Sequence, residues 1–186
     1  MDSINNYIKA NVSKKRLAHI YGVAATAKAL AVRYGADEKK AETAALFHDM
    51  CKGMTTEKLN EYVVKFNLDE KYIDNKNLSH GKVAGELMKR DFHVDDEDVI
   101  NAVKYHTTGR KNMSLLEKII YLSDAIEPER DYPTVETIRK MAQEDLDKAC
   151  LTSMNRSIEY IKSKGDHLDE DTLKAKEVLE GELNGN

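Results

Sequence analysis

The chain has 186 residues, of which 41% are hydrophobic and 33% charged, with only 9 glycines and 2 prolines. This length is typical of one domain, and the composition is too apolar for a disordered protein and too poor in glycine and proline for an all-β sandwich. The formal net charge of -4 gives no overall attraction to nucleic acid or to an anionic membrane. An anionic ligand would therefore have to meet locally arranged positive charge.

The cysteines and the amino-terminal region bear on the cellular compartment. Cys51 and Cys150 show no CxxC spacing, which argues against a disulfide-rich secreted domain and predicts a reducing, cytoplasmic location. The amino end has no apolar segment ahead of its basic cluster, and no stretch approaches ~18 consecutive apolar residues. We expect no export, no membrane insertion and no partnership with membranes or nucleic acid.

Helical periodicity begins early in the chain. Ser13 precedes apolar residues at three- and four-residue spacing, and Gly35 follows them, which predicts a helix between these two residues. Asp37 is expected to cap a second helix, whose apolar stripe continues one turn later into His48. This histidine is therefore expected to face the interior, and Asp49 is expected to lie close to the same apolar stripe.

The same pattern continues through the middle of the chain. Thr55 is expected to open a helix that runs through about Phe66, and an irregular connection follows it. Ser79 is expected to cap the next helix, with His80 in its first turn. In the segment DDEDVINAVKYH the apolar spacing leads to His106, beside the loop TTGRKN.

The remaining helices follow clear start signals. Ser114 and Glu117 form a capping box before the helix SLLEKIIYLSDAIE, which carries Asp124 one turn beyond its apolar residues. Both prolines lie in the loop EPERDYP, ahead of a long helix that ends at Gly165. The tail is expected to form a loop and one short helix that frays into Gly and Asn. We predict one all-α domain over residues 1–186, with core motifs at about 14–133 and carboxy-terminal helices at 134–186.

Polar residues in apolar helical contexts form the candidate site. Neutral imidazole is a good ligand for first-row transition metals, and an aspartate can bridge two ions. The adjacent pair His48 and Asp49 is the natural centre of such a site. Helical spacing alone does not show that the side chains converge. The six candidates are His19, His48, Asp49, His80, His106 and Asp124.

The order of these residues, H…HD…H…H…D, is similar to that of the HD superfamily of metal-dependent phosphohydrolases. The surrounding sequence is more specific than the HD dipeptide. Five segments resemble, in order and spacing, the HD-domain family of symmetrical bis(5'-nucleosyl)-tetraphosphatases over about residues 14–175. They read KRLAHIYGV, ALFHDMCKGM, LSHGKVAGELM, VKYHTTGR and YLSDAIEPERDYPTV.

The resemblance implies an all-α HD helical bundle with a centre for one or two divalent transition metal ions, iron first and manganese or cobalt as substitutes. It implies hydrolysis of diadenosine tetraphosphate and related dinucleotides to two nucleoside diphosphates. A bound metal would lower the pKa of a water molecule towards neutrality. By position, the primary metal ligands are His19, His48, Asp49 and Asp124. His80 and His106 either complete a second metal site, with Asp49 bridging, or contact the phosphates.

Further residues are candidates for catalysis and for substrate binding. Lys52 lies four residues after His48, and we expect it one helical turn further on, where it joins His48 and Asp49 in catalysis and reaches a phosphate. Arg130 is expected to bind phosphate oxygens from the proline-bounded loop. The tail segment GDHLDEDTLKA resembles the part of the family that approaches the nucleotide. The remaining candidates are Thr107, Thr108, Arg110, His167 and Thr172.

Other interpretations of these residues and of the whole motif remain open. Lys52, Arg110 and Arg130 also fit ordinary surface charges, because exposed ion pairs are common and energetically minor. The ligand pattern also fits an HD phosphohydrolase acting on (p)ppGpp, a deoxynucleotide or a cyclic dinucleotide. It further fits a di-iron oxygenase resembling myo-inositol oxygenase, or a nucleotide sensor without catalysis. The oligomeric state is open, with a homodimer as one alternative.

Overall fold

The computed structural model describes residues 2–185, and all regular secondary structure within that range is helical. This confirms the all-α prediction. A single 3₁₀ turn, Glu70–Tyr72, precedes the fifth helix. The α-helices in chain order are α1 (Asp2–Asn11), α2 (Lys14–Tyr34), α3 (Glu38–His48), α4 (Thr56–Lys65), α5 (Lys76–Asp91), α6 (Glu97–Lys104), α7 (Leu115–Ile126), α8 (Val135–Met141), α9 (Leu146–Lys164) and α10 (Glu170–Leu183).

Several helix ends follow the local signals in the sequence. The Ser13 side chain accepts the Arg16 backbone N–H at 3.2 Å and starts α2. Gly35 ends that helix with φ 73°, a left-handed conformation that glycine adopts without steric cost. Ser114 and Glu117 form the predicted capping box, in which each side chain accepts the other residue's backbone N–H.

The start of α5 differs from the prediction. The helix begins at Lys76, because the Asn75 side chain accepts the Leu78 backbone N–H at 3.2 Å and caps it. Ser79 therefore lies buried inside the helix rather than at its start. His80 still lies near the amino end of α5, one turn inside the helix.

The end of α3 also differs, and this changes the position of Lys52. The helix stops at His48, because Asp49 leaves the helical region with φ -111° and ψ 15°. Lys52 lies in the following turn, where its backbone N–H donates to the Asp49 carbonyl at 3.0 Å. The prediction that Lys52 continues the same helix one turn beyond His48 is therefore wrong.

Three helical segments depart from the sequence expectation. Helix α1 was not predicted, although Ile4 and Ile8 are buried at the four-residue spacing typical of a helix. Helix α8 precedes the long helix, and the two are separated because Asp145 caps α9 anew by accepting the Lys148 backbone N–H at 2.9 Å. The final helix α10 has 14 residues and is not short. The predicted fraying of the tail reaches Asn186, which lies outside the described residues.

The helices pack around a continuous apolar core. Helix α2 packs mainly against α3 and α7, while α5 and α6 complete the bundle and α9 and α10 cover it. Buried apolar residues extend from Ile4 in α1 to Leu179 in α10. This continuity supports one domain over residues 1–186, which stays a prediction. No helix in the described part of the chain has the length and apolar character needed to span a membrane.

A buried lysine ties α5 to the start of α10. The Lys82 side chain is 7% exposed, its Nζ lies 3.7 Å from Asp171 Oδ2, and it lies 3.3 Å from the centre of the Tyr105 ring. No hydrogen bond satisfies this ammonium group among the described residues. Burial lowers the pKa of Lys82 from 10.5 to about 8, although the nearby Asp171 carboxylate favours the charged form.

We expect Lys82→Met to change the pH dependence of stability. Because the folded pKa of Lys82 lies below its unfolded value, the wild-type protein gains stability as pH rises from about 8 to about 10.5. The variant lacks this gain, so the wild-type free energy of unfolding should rise by about 3 kcal/mol relative to the variant across that range. Denaturant unfolding at several pH values measures the difference, and a difference that does not vary with pH would contradict the prediction.

Candidate metal centre

The first feature of the site is that each histidine is anchored through Nδ1. His19 Nδ1 lies 3.0 Å from Glu127 Oε1, and Nδ1 of His48, His80 and His106 lies 2.6, 3.0 and 2.7 Å from backbone carbonyls. A carbonyl only accepts, so Nδ1 of these last three rings carries the proton and Nε2 keeps a free lone pair. This is the ring orientation in which a histidine binds a metal through Nε2.

The four Nε2 atoms face each other in two pairs. His19 Nε2 lies 3.4 Å from His48 Nε2, and His80 Nε2 lies 3.1 Å from His106 Nε2. Two lone pairs at this separation repel each other unless a proton or a metal cation is shared between them. The arrangement therefore has the donor chemistry that a transition metal requires.

Asp49 lies between the two histidine pairs. Its Oδ2 lies 3.6 Å from Nε2 of both His19 and His48. Its Oδ1 lies 3.1 Å from His80 Nε2 and 3.8 Å from His106 Nε2. Each oxygen of this carboxylate thus faces one pair, which is the geometry of a bridging ligand.

Asp124 completes the group on the side of the first pair. Its Oδ1 lies 3.0 Å from His19 Nε2 and 4.0 Å from His48 Nε2. Two sets of three residues, with His48 in both, hold their potential ligand atoms within 4.8 Å of one another. The sets are His19, His48 and Asp124, and His48, Asp49 and His106. Imidazole and carboxylate donors at this spacing fit a divalent metal ion.

Burial and charge set the protonation of the ligands. Burial lowers the pKa of His48, and burial together with the neighbouring His80 lowers the pKa of His106 to about 3, so both rings are neutral near neutral pH. Burial opposes protonation of His19, but the Asp124 and Glu127 carboxylates together outweigh it and raise the pKa of that ring. Burial likewise opposes ionisation of Asp49, but the adjacent histidines lower the pKa of its carboxyl group well below the usual range.

Two arginines contact the carboxylate ligands. Arg16 Nη1 donates to Asp49 Oδ2 at 2.6 Å, and Arg130 Nη2 donates to Asp124 Oδ1 at 2.6 Å. Arg130 Nε also donates to the Asp124 backbone carbonyl at 2.8 Å. Such charge-assisted hydrogen bonds orient a ligand and hold it ionised. The sequence interpretation included Arg130 but missed Arg16, although Arg16 precedes His19 by one helical turn.

Glu127 is a second residue that the sequence analysis left out of the site. It is 2% exposed, and its Oε2 accepts the Glu129 backbone N–H at 2.8 Å while its Oε1 faces His19. A buried carboxylate requires such partners. Its position three residues after Asp124, at the end of α7, is the sequence signal that could have identified it.

A cavity of about 860 Å³ opens beside these ligands. Among the predicted residues, it is lined by His106, Thr107, Asp124, Arg130 and His167. Lys52 lies beside it, with Nζ 3.5 Å from Oδ1 of Asn77, a lining residue. Burial lowers the pKa of Lys52, although the Asp49 carboxylate favours its charged form. These positions bring cations and hydroxyl groups to the edge of the ligand cluster.

Three more predicted contact residues lie outside the lining of this cavity, as Lys52 and His80 do. Thr108 is buried, and its Oγ1 donates to the Gly109 carbonyl at 2.8 Å. Arg110 Nε donates to the buried Glu117 carboxylate at 2.7 Å. Thr172 is buried in the first turn of α10. These three side chains therefore contact other parts of the protein and do not line the cavity.

Other lining residues were not found from the sequence. Arg156 and Tyr160 are one turn apart on α9, and Tyr132 lies in the proline-bounded loop. Lys71 lies in the 3₁₀ turn, within a segment that the sequence analysis treated as an irregular connection. Among these residues, only the four-residue spacing of Arg156 and Tyr160 indicates from the sequence that they share a face. This spacing is weak evidence of a binding site, because exposed helix faces carry such residues without function.

Comparisons with known proteins identify the family of this chain. Residues 16–129 match the HD domain family. The chain is 39% identical to a "Bis(5'-nucleosyl)-tetraphosphatase, symmetrical" of Bacillus subtilis, over 89% of this chain and 90% of that protein. It is 40% identical to a protein of the same description from Halalkalibacterium halodurans, over 89% of each chain.

A solved structure is similar over almost the whole length. It is the crystal structure of a predicted HD superfamily hydrolase involved in NAD metabolism from Clostridium acetobutylicum, with a TM-score of 0.93, 43% sequence identity and 97% of each chain covered. HD domains bind divalent metal ions, in agreement with the cluster of histidines and aspartates. The chain belongs to the HD domain family and, within it, to the symmetrical bis(5'-nucleosyl)-tetraphosphatases.

Proposed function

We propose that this protein is a metal-dependent phosphohydrolase that cleaves diadenosine tetraphosphate and related dinucleoside polyphosphates symmetrically into two nucleoside diphosphates. One observation carries the proposal: two histidine pairs face the two oxygens of Asp49, beside a cavity of about 860 Å³ that His106 and Asp124 line. The identity of about 40% to symmetrical tetraphosphatases supports the choice of substrate.

The ligand set divides into two metal positions that share Asp49. His19, His48, Asp49 and Asp124 would hold an ion at the first position, and Asp49, His80 and His106 would hold one at the second. The mixture of imidazole and carboxylate donors suits iron, with manganese or cobalt as substitutes. When bound, such ions supply an activated water molecule near neutral pH and stabilise the negative charge that develops on the phosphate.

The protein's own residues hold the ligands and the substrate. Arg16 and Arg130 keep the two carboxylates ionised and oriented, since each donates a 2.6 Å hydrogen bond to one of them. Lys52 and Thr107 lie at the edge of the cluster and are assigned to the phosphate chain. His167 lines the cavity further out, where it is assigned to the nucleoside end.

The proposed reaction breaks one bond at the middle of the phosphate chain. The oxygen of water forms a bond to the second phosphorus, and the bond from that phosphorus to the central bridging oxygen breaks. The bridging oxygen leaves with the second nucleoside diphosphate, and the water protons pass to solvent. Cations must neutralise the leaving phosphate, and the candidates beside it are Lys52 and Arg130.

We expect Glu127→Gln to weaken metal binding by about 10–100-fold, because removal of a partner that orients a metal-binding histidine has effects of this size. The Glu127 carboxylate lies 3.0 Å from His19 Nδ1, and the amide removes the charge while keeping the shape. Competition between the protein and a chelator measures the affinity. Glu159→Gln, an exposed substitution on α9, is the matched control. Equal affinity in both variants would contradict the role of Glu127.

Product analysis tests the proposed function. The protein is purified without oxygen, its metal content is measured, and it is incubated with diadenosine tetraphosphate before ADP, AMP and ATP are separated by chromatography. We expect two ADP per substrate and loss of the reaction on chelation. AMP with ATP would exclude symmetrical cleavage. Absence of any product from the metal-loaded protein would overturn the proposal and favour a different nucleotide, the oxygenase chemistry or a sensor.

A further inference from the structure

A second cavity adjoins the first one and also reaches the ligand cluster. It measures about 470 Å³, and its inner wall includes His19 and Arg16, whereas the larger cavity touches His106 and Asp124. The two cavities share a wall formed by Arg130, Tyr132, Arg156 and Tyr160. Each cavity therefore touches a different part of the ligand cluster, and each is large enough for a nucleotide-sized ligand, for which cavities of about 300–1,000 Å³ are typical.

Arg156 is the cation on the shared wall that has no carboxylate partner. Arg130 and Arg16 each donate to a ligand carboxylate at 2.6 Å. Within residues 2–185, Arg156 forms no ion pair, and its guanidinium carbon lies 3.6 Å from the centre of the Tyr132 ring. Stacking on the ring holds the guanidinium plane while its N–H donors stay available. An anion that passes between the cavities would meet these donors.

We infer that the smaller cavity binds the second nucleoside diphosphate half of the substrate and that Arg156 binds the phosphate chain where it passes between the two cavities. The inference rests on the proposed function. A substrate cut at its centre has equal halves on both sides of the reacting phosphorus, and the structure has two adjoining cavities, one lined by His106 and Asp124 and the other by His19. Contacts with the distant half then contribute to orienting the central phosphorus.

The outer rim of the smaller cavity allows a selective test. Asp131 is exposed and lines this cavity but not the larger one. Asp131→Trp places a large ring where the second nucleoside would bind. Thr134→Trp adds the same ring to an exposed position that lines neither cavity, and serves as the matched control.

The test compares diadenosine tetraphosphate with adenosine 5'-tetraphosphate, which has four phosphates but one nucleoside. We expect Asp131→Trp to lower kcat/KM for the dinucleotide by about 10-fold or more, the size of effect of losing remote binding contacts, and to leave the mononucleotide within about 2-fold. Thr134→Trp should affect neither substrate. An equal effect of Asp131→Trp on both substrates, or no effect on either, would overturn the second subsite.

Arg156 is tested in the same assay. Arg156→Ala should lower kcat/KM for both substrates by about 10–100-fold, the range for losing a charge-assisted hydrogen bond, with unchanged metal content. Arg156→Lys should restore part of the loss, because the lysine keeps the charge without the planar donors. Arg33→Ala, at an exposed position outside both cavities, is the control. Wild-type kinetics for Arg156→Ala would refute its role.

Binding of the product ADP separates this inference from the proposed function. Calorimetry on the metal-loaded wild-type protein should show two ADP molecules per chain, and Asp131→Trp should retain one. A single ADP site in the wild type would overturn the second subsite even if diadenosine tetraphosphate is hydrolysed. If the wild type produces no ADP from diadenosine tetraphosphate, the proposed function fails, and the ADP count still decides whether the second cavity binds a nucleotide.

Discussion

Asp49→Asn is expected to abolish metal binding and hydrolysis together while the helical fold persists. The Asp49 oxygens lie between two histidine pairs, so one substitution weakens both proposed metal positions. Loss of several kcal/mol of charge stabilisation corresponds to a decrease of about 10³-fold or more in kcat/KM. Metal analysis, kinetics and circular dichroism on the same preparation measure the three properties.

The fold should survive because asparagine keeps the size of the side chain. The substitution removes the carboxylate that pairs with Arg16. The Arg16 side chain is 32% exposed, so water can hydrate its guanidinium group in the variant. Asp95→Asn, at an exposed position away from the cluster, is the matched control and should behave as wild type. Normal metal content together with full activity in Asp49→Asn would refute the assignment of the metal centre.

His80→Ala is expected to reduce the metal content from two ions to one per chain and to lower the rate by about 10²–10³-fold. His80 contacts Asp49 Oδ1 and His106 but none of the other ligands at close range, so the position formed by His19, His48 and Asp124 stays intact. Metal analysis after removal of loosely bound ions, combined with kinetics, measures both effects.

This variant distinguishes the two roles that the sequence left open for His80 and His106. If these histidines contact only phosphate, His80→Ala will raise KM while the metal content stays the same as in the wild type. His93→Asn is the control, because His93 is exposed and its φ of 54° is a conformation that asparagine tolerates. An unchanged metal content in His80→Ala would therefore contradict the second metal position.

The sequence predicted most helices because capping and apolar spacing are local properties. The Ser13 cap, the Gly35 end and the Ser114 capping box all formed as expected. Errors arose where two local signals competed. Asn75 caps α5 four residues before the expected Ser79, and Asp49 ends the helix that was expected to carry Lys52. Asn, Asp and Ser all favour helix ends. The spacing of apolar residues does not decide which of two such residues caps or ends a helix.

The all-α class and the six candidate ligands could be predicted from the amino-acid sequence, since each candidate follows an apolar helical stripe or belongs to a motif with fixed order. The packing of the helices was needed to show that Asp49 faces both histidine pairs and that Arg16 and Glu127 contact the ligands. It also shows that two adjoining cavities reach the cluster. The physical reason is that these contacts join residues from separate helices, and helical periodicity orients a side chain towards the core without specifying its neighbour there.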